Sequence, residues 1–246
     1  MSTPVQFTDE AIGLVPARGG SKSVFHKNIH PLAGWPLLRY VVEAGKASRL
    51  GRLFCSTDDE TIAATASDCG AVMTIRPAEL ATDDAPVAAV IIDFLRRLQE
   101  REEKLPWAVA LLQPTSPFVL PEQIDHCLAA LAADPHAQSV QTVALPPHNH
   151  HAFNQREISD GYVGFRFVHE RKQAYNKQRK PKFYVFGNLV VTRTSRLLMD
   201  GNVFAEPSLP QIISATHSVD VDTPEDFAYA EYLIEKGLVM LPFNRA

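Results

Sequence analysis

The hexapeptide WAVALL, residues 107–112, is apolar at every position and stops at Gln113-Pro114-Thr115-Ser116-Pro117. A strand with no polar face has to be covered on both sides, the situation of a strand inside a parallel sheet flanked by helices. Its surroundings fit that placement. Further strands are expected at residues 12–15, 52–57, 71–75 and 139–145, and helices at 36–47, 61–69, 86–104 and 121–133. This alternation predicts an α/β fold on a mostly parallel, Rossmann-like sheet with right-handed crossovers. In open sheets of this kind ligands lie beyond the carboxyl ends of the strands. Arg18, Asp58, Arg76 and Gln113 each follow an expected strand, so all four converge on one rim.

Past residue 145 the texture changes. Residues 146–186 carry Pro146-Pro147, the histidines His148, His150 and His151, and a basic run. Val163, Phe165 and Phe167 alternate after a turn at Gly161. This stretch reads as an inserted arm of antiparallel strands, leaving residues 10–145 and 187–240 as the core. A strand at 189–192 returns to that core, and a late strand is expected at 212–219. A helix at 224–235 closes the fold, capped by Thr223 with Pro224 at its first position.

Composition narrows the classes of function. The 246 residues are 46% hydrophobic and 21% charged, as in an ordinary globular α/β domain. A net charge of −4 offers no general attraction to nucleic acid or anionic lipid, so a polyanion must be held by a local cluster. No apolar run approaches the ~20 residues of a membrane span. Residues 1–10 lack the basic and apolar regions of a signal peptide. Cys55, Cys69 and Cys127 lie far apart without CxxC spacing and read as buried, reduced thiols. The expectation is a cytoplasmic protein with neither nucleic acid nor membrane as partner.

The loop after the first strand holds the densest chemistry. Pro16 and Gly19-Gly20 break the strand, and Arg18, Ser21, Lys22, Ser23, Lys27 and Asn28 crowd the turn. Glycines let backbone N–H groups come close to a ligand. Successive N–H groups form an anion-binding nest, which cationic side chains reinforce. Such a loop suits a polyphosphate. It is neither GxxxxGK[ST] nor GxGxxG, and a solvated basic loop is the plain alternative.

A second cluster stands near the other end, in Asp220-Val221-Asp222. On an extended segment the two carboxylates point to the same side, where they repel unless a cation lies between them. Mg²⁺ suits the pair, because it takes one or two carboxylates together with phosphate oxygens and waters. Without a polyphosphate nearby, Asp222 would serve only the helix start and Asp220 would be a surface charge.

Taken in order, VPARGGSK with Lys27-Asn28, STDDETIA, IRPAELATDDA, LLQPTSPF and HSVDVDTPEDF resemble the motifs of the acylneuraminate cytidylyltransferase family, the CMP-sialic acid synthetases. The resemblance covers residues 12–117 and 214–231. It implies a nucleotidyltransferase fold and transfer of CMP from CTP to a small acidic acceptor, with release of pyrophosphate. By motif position Arg18, Ser21, Lys22 and Lys27 would hold the triphosphate, on a backbone that includes Ala17, Gly19 and Gly20. Asn28 and Arg76 would contact the cytidine, with Thr82 nearby. Gln113 would face the reacting centre or the acceptor, and Asp220 and Asp222 would carry Mg²⁺. Catalysis would then rest on Arg18, Lys22, Lys27, Gln113 and Asp222. Family members are commonly homodimers in which an arm reaches the partner's site, a role that residues 146–186 would take here.

The acceptor end departs from that pattern. Relatives usually carry an Asn-Gly pair preceded by Arg before the late core strand, whereas this chain reads Tyr184-Val185-Phe186-Gly187-Asn188. The lysine that follows a His-Pro pair is absent from Pro147-His148-Asn149-His150-His151-Ala152. The cytidylyl chemistry is untouched by these changes, but the acceptor stays open between a sialic, legionaminic or pseudaminic acid and a phosphonate. The basic run of Arg171-Lys172 and residues 177–182 could receive an acidic acceptor or form a solvated surface. The cluster of His148, His150 and His151 could hold a metal or form a polar loop. Functions of other classes are a glycosyltransferase with a DxD-like metal site, which would release no pyrophosphate, and non-catalytic CTP binding.

Overall fold

The unbroken apolar run lies at the centre of a seven-stranded sheet. In the computed structural model, which describes residues 5–174 and 180–241, the strands are β1 (Ala11–Pro16), β2 (Leu53–Thr57), β3 (Val72–Ile75), β4 (Ala108–Leu111), β5 (Ser139–Ala144), β6 (Val185–Arg193) and β7 (Ser208–Ile213). Their order is β7-β5-β6-β4-β1-β2-β3. Neighbours pair in parallel, except that β6 runs antiparallel to both β4 and β5. The helices of the core are α1 (Leu37–Lys46), α2 (Glu60–Asp68), α3 (Val87–Gln99), α4 (Pro121–Ala133), α5 (Thr194–Asp200) and α6 (Pro224–Glu235), and the arm, expected to be all strands, holds a further short helix at Val168–Gln173.

The central strands are apolar throughout because both faces are covered. On one face Val15, Cys55, Ala110 and Val191 pack with Val41 of α1, Ile62 of α2 and Ile124 of α4. On the other, Ile12, Leu14, Val109 and Leu111 pack with Ile91 and Leu95 of α3 and Leu197 of α5. Each such side chain with no exposure contributes roughly 1.5–3 kcal/mol relative to water. A third cluster joins Val24 of the basic loop to Phe118, Val221 and Phe227. The cysteines are free and buried, and burial pushes the Cys55 and Cys127 thiols up to about 12.

Three expected elements differ by more than a residue or two. The strand expected at 189–192 begins earlier, at Val185, and runs to Arg193. The third helix ends at Gln99, not residue 104, and Lys104–Leu105 instead pairs in parallel with Gln6–Phe7. The late strand is Ser208–Ile213, and Ala215–Ser218 forms a 3₁₀ turn where the strand was expected to continue. Beyond β5, Arg156–Ser159 and Tyr162–Phe165 form an antiparallel hairpin turned by Asp160 (φ 53°) and Gly161 (φ 82°). Two consecutive positive φ values match the twist that a tight hairpin needs. Residues 177–179 of the expected basic run lie outside the described residues. No described helix is long and apolar enough to cross a membrane.

Candidate active site

From β1 the chain steps outward to β2 and β3, then returns through α3 to β4 on the other side of β1. A crevice opens beyond the carboxyl ends of strands at such a reversal. Here it is a cleft of about 210 Å³. One wall is the basic loop, with Arg18, Gly20, Ser21, Lys27 and Asn28. Arg76, Thr82 and Asp83 follow β3, and Gln113 and Thr115 follow β4. Val87 and Val90 of α3 supply an apolar side. The cleft thus gathers most of the residues singled out in sequence.

Backbone bonds shape the loop. Ala17 is fully buried and gives its N–H to the Ser56 carbonyl at 2.9 Å, which anchors the loop's root. Gly19 donates to Asp58 Oδ1 at 3.0 Å. A Cβ on Gly19 would stand 2.8 Å from the Cβ of Asp59. Asp59 in turn caps α2, accepting from the N–H groups of Thr61 (2.8 Å) and Ile62 (2.9 Å). Gly19 therefore lets the loop pass against a helix cap, while Gly20 and Ser21 face the cleft. Asn28 is buried and donates from Nδ2 to the Arg18 carbonyl at 2.9 Å, closing the turn on itself.

Charge is distributed in linked pairs. Arg76 is 6% exposed and donates to the Ser56 carbonyl (2.8 Å) and hydroxyl (3.3 Å). Burial lowers its pKa, and the charge of Asp58 opposes that fall. Lys22 projects into solvent but reaches Asp83, whose other oxygen holds Arg18. Lys27 binds Asp222 Oδ1, and the Ser23 hydroxyl donates to the Asp222 carbonyl at 2.6 Å. These contacts join segments 195 and 199 residues apart. Thr115 bonds the Asp220 carboxylate and accepts the Val221 N–H at 2.7 Å. Desolvation pushes the Asp220 carboxyl above its usual range; the Thr115 bond opposes this and the charge of Asp222 adds to it.

Sequence reasoning assigned no role to Asp83 or Thr115. Asp83 stood in the motif IRPAELATDDA, where an acid facing a basic loop was a usable signal. Thr115 stood in LLQPTSPF and carried none. The histidines do not gather as ligands. His151 is buried, stacks on Phe183 (5.1 Å), accepts the Phe153 N–H at Nδ1 and places Nε2 2.9 Å from the Pro181 carbonyl. Among the described residues no group of three or more His, Cys, Asp or Glu side chains could hold a metal ion. Asn188 is 1% exposed and bonded to Gln123, Thr142 and the His217 carbonyl, while Phe186 packs edge-on against Phe204. Neither takes a place in the cleft wall.

Residues 12–236 match the model of a family described as Cytidylyltransferase. The chain is 31% identical over 228 residues to a CMP-N,N'-diacetyllegionaminic acid synthase of Legionella pneumophila, covering 91% of this chain and 96% of that protein. It is 29% identical to an N-acylneuraminate cytidylyltransferase of Escherichia coli O18:K1:H7, covering 92% of this chain but 52% of that protein, so it spans about half that relative's length. The fold is also that of a CMP:2-keto-3-deoxy-manno-octonic acid synthetase solved with CTP, at a TM-score of 0.71 and 14% identity over 93% of this chain and 99% of that one. Residues of VPARGGSK with Lys27-Asn28, of IRPAELATDDA and of LLQPTSPF line one cleft at the sheet's reversal, and this chain belongs to the cytidylyltransferase family.

Proposed function

We propose that the protein transfers CMP from CTP to a nonulosonic acid, one of the sialic, legionaminic or pseudaminic kind, and releases pyrophosphate. The observation that supports this reading is the bond to Asp222 from Lys27, a residue of the cleft wall, which ties the basic loop to the segment of the aspartate pair. Arg18, Lys22 and Ser21 hold the β- and γ-phosphates, and Lys27 neighbours the α-phosphate. Arg76 and Asn28 meet the cytidine, with Thr82 beside it. The acceptor hydroxyl, placed by Gln113, attacks the α-phosphorus as the bond to the pyrophosphate oxygen breaks. Positioned cations account for most of the rate in such transfers.

The aspartates fit a divalent cation. Their oxygens are hard ligands, and the desolvated Asp220 carboxyl beside Asp222 is in the situation that a cation relieves. Asp220 and Asp222 would hold Mg²⁺, with phosphate oxygens and waters completing its shell. Bound there, the ion would neutralise charge on the reacting phosphate. We also assign residues 146–186 to a homodimer contact. The exposed Ile158, Tyr162 and Val163 of the hairpin support this, at 79%, 81% and 71% exposure.

The test is a panel of sugar acids and phosphonates with CTP and Mg²⁺, read by pyrophosphate release and by the mass of the CMP product. A CMP-nonulosonate is the expected product. A CMP-phosphonate would reassign the acceptor, and nucleotide release without pyrophosphate would reject the transfer of CMP.

A further inference from the structure

An acid lining a polyanion site is out of place electrostatically. Asp83 is the one acidic side chain among the described residues that line the cleft. It does not face away from the cations: Oδ1 holds Arg18 and Oδ2 holds Lys22. Those two cations hold its carboxyl below the usual carboxylate range. Stability does not explain the arrangement. Lys22 is 86% exposed at its side chain and Asp83 36%, and exposed pairs of this kind contribute little to folding. Asp84, the next residue, is exposed and makes no ion pair among the described residues. The bridging carboxylate thus resembles a phosphate in both charge and reach.

We propose that Asp83 is an internal occupant of the anion site, a carboxylate that holds Arg18 and Lys22 until the phosphates of a nucleotide or pyrophosphate replace it. The segment that carries it permits this. Between the 3₁₀ turn Ala78–Leu80 and α3 the chain makes only a turn, closed by the Ala85 N–H on the Thr82 carbonyl at 3.4 Å, and the Asp83 side chain is held by its two ion pairs. When phosphates arrive, the two cations change partners and the carboxylate moves to solvent. When pyrophosphate leaves, Asp83 returns and opposes rebinding. Every ligand that needs both cations meets this competition, and a ligand that needs neither does not.

This inference rests on the cleft being the CTP site, and the experiment separates the two. Binding of CTP, inorganic pyrophosphate and cytidine is measured by titration calorimetry for the unaltered protein, Asp83→Asn and the control Asp84→Asn. Asp83→Asn is expected to tighten CTP and pyrophosphate by about three- to tenfold, the scale of one or two exposed ion pairs. Cytidine should bind unchanged, Asp84→Asn should match the unaltered protein, and melting temperatures should agree. Asp83→Ser provides the same loss of charge should the asparagine variant misfold. Equal or weaker CTP and pyrophosphate binding in the Asp83 variants, with CTP still bound by the unaltered protein, overturns the competition alone. An unaltered protein that binds neither CTP nor pyrophosphate overturns the site itself.

Discussion

The basic loop at residues 17–28 and the arm at residues 146–186 are both rich in cations, yet they hold them in opposite ways. In the loop, Arg18 and Lys22 share Asp83, and Lys27 takes Asp222. These acids come from distant segments, so the pairs both close the cleft and stand ready for exchange. In the arm, Arg156 and Arg171 lie over Phe165, at 4.4 and 4.0 Å. Arg171 and Lys180 converge on Asn154 Oδ1 at 2.8 and 2.6 Å. Among the described residues no arginine or lysine of the arm is ion-paired with an acid. In the arm, cations laid on rings cover apolar surface with their stems and faces, and the hairpin leaves Ile158, Tyr162 and Val163 exposed.

The sharpest way to break the comparison is Asp222→Asn. If the loop's partners act in catalysis, pyrophosphate release should fall by on the order of 10²–10³, with an unchanged melting profile. Full activity in that variant would remove the aspartate from the reaction. A smaller effect is expected from Asn188→Ala, which strips a buried network from β6 that serves the fold and not the cleft. Denaturant titration should read a loss of about 1–3 kcal/mol, with CTP affinity retained in the folded fraction. Smaller again is the effect of charging the arm. Tyr162→Asp with Val163→Asp should dissociate the dimer in sedimentation, yet change the stability of the monomer by only about 0.5 kcal/mol. A dimer that survives would move the contact off the hairpin.

The mildest test is pH. The raised Asp220 carboxyl takes its proton at a higher pH than a free aspartate. In the cation-free protein its contribution to stability is therefore present below the unfolded value and lost as pH rises through the folded one. Cation binding needs the ionised form, so affinity should fall as pH drops through the raised value. A Mg²⁺ titration of activity at descending pH would show this. Thr115→Val, which removes the bond that opposes the shift, should move the loss to higher pH.

The core was legible because its physics is local. WAVALL and the Thr223 start of α6 each state their structure within a few residues, and the structure follows them. The late strand was expected at 212–219 and lies at Ser208–Ile213. The strand forms there as an edge of the sheet, with Pro210 exposed, the position where a missing N–H is tolerated. The end of α3 was overrun because Lys104–Leu105 is claimed by Gln6–Phe7, a pairing no window of sequence contains. Arg18 and Lys27 in the cleft, and the two aspartates beyond Lys27, were visible as charge and spacing. Asp83 and Thr115 were not assigned because their importance lies in whom they meet across the fold.

Val221 has no exposure, sits between the two aspartates and packs with Phe227 and Leu233 of α6. The spread of the carboxylates is thus inherited from how the last helix docks. A chain clipped just ahead of Pro224 would keep every group that faces the cleft and still lose its grip, because the rivet between the acids would have nothing to bite into.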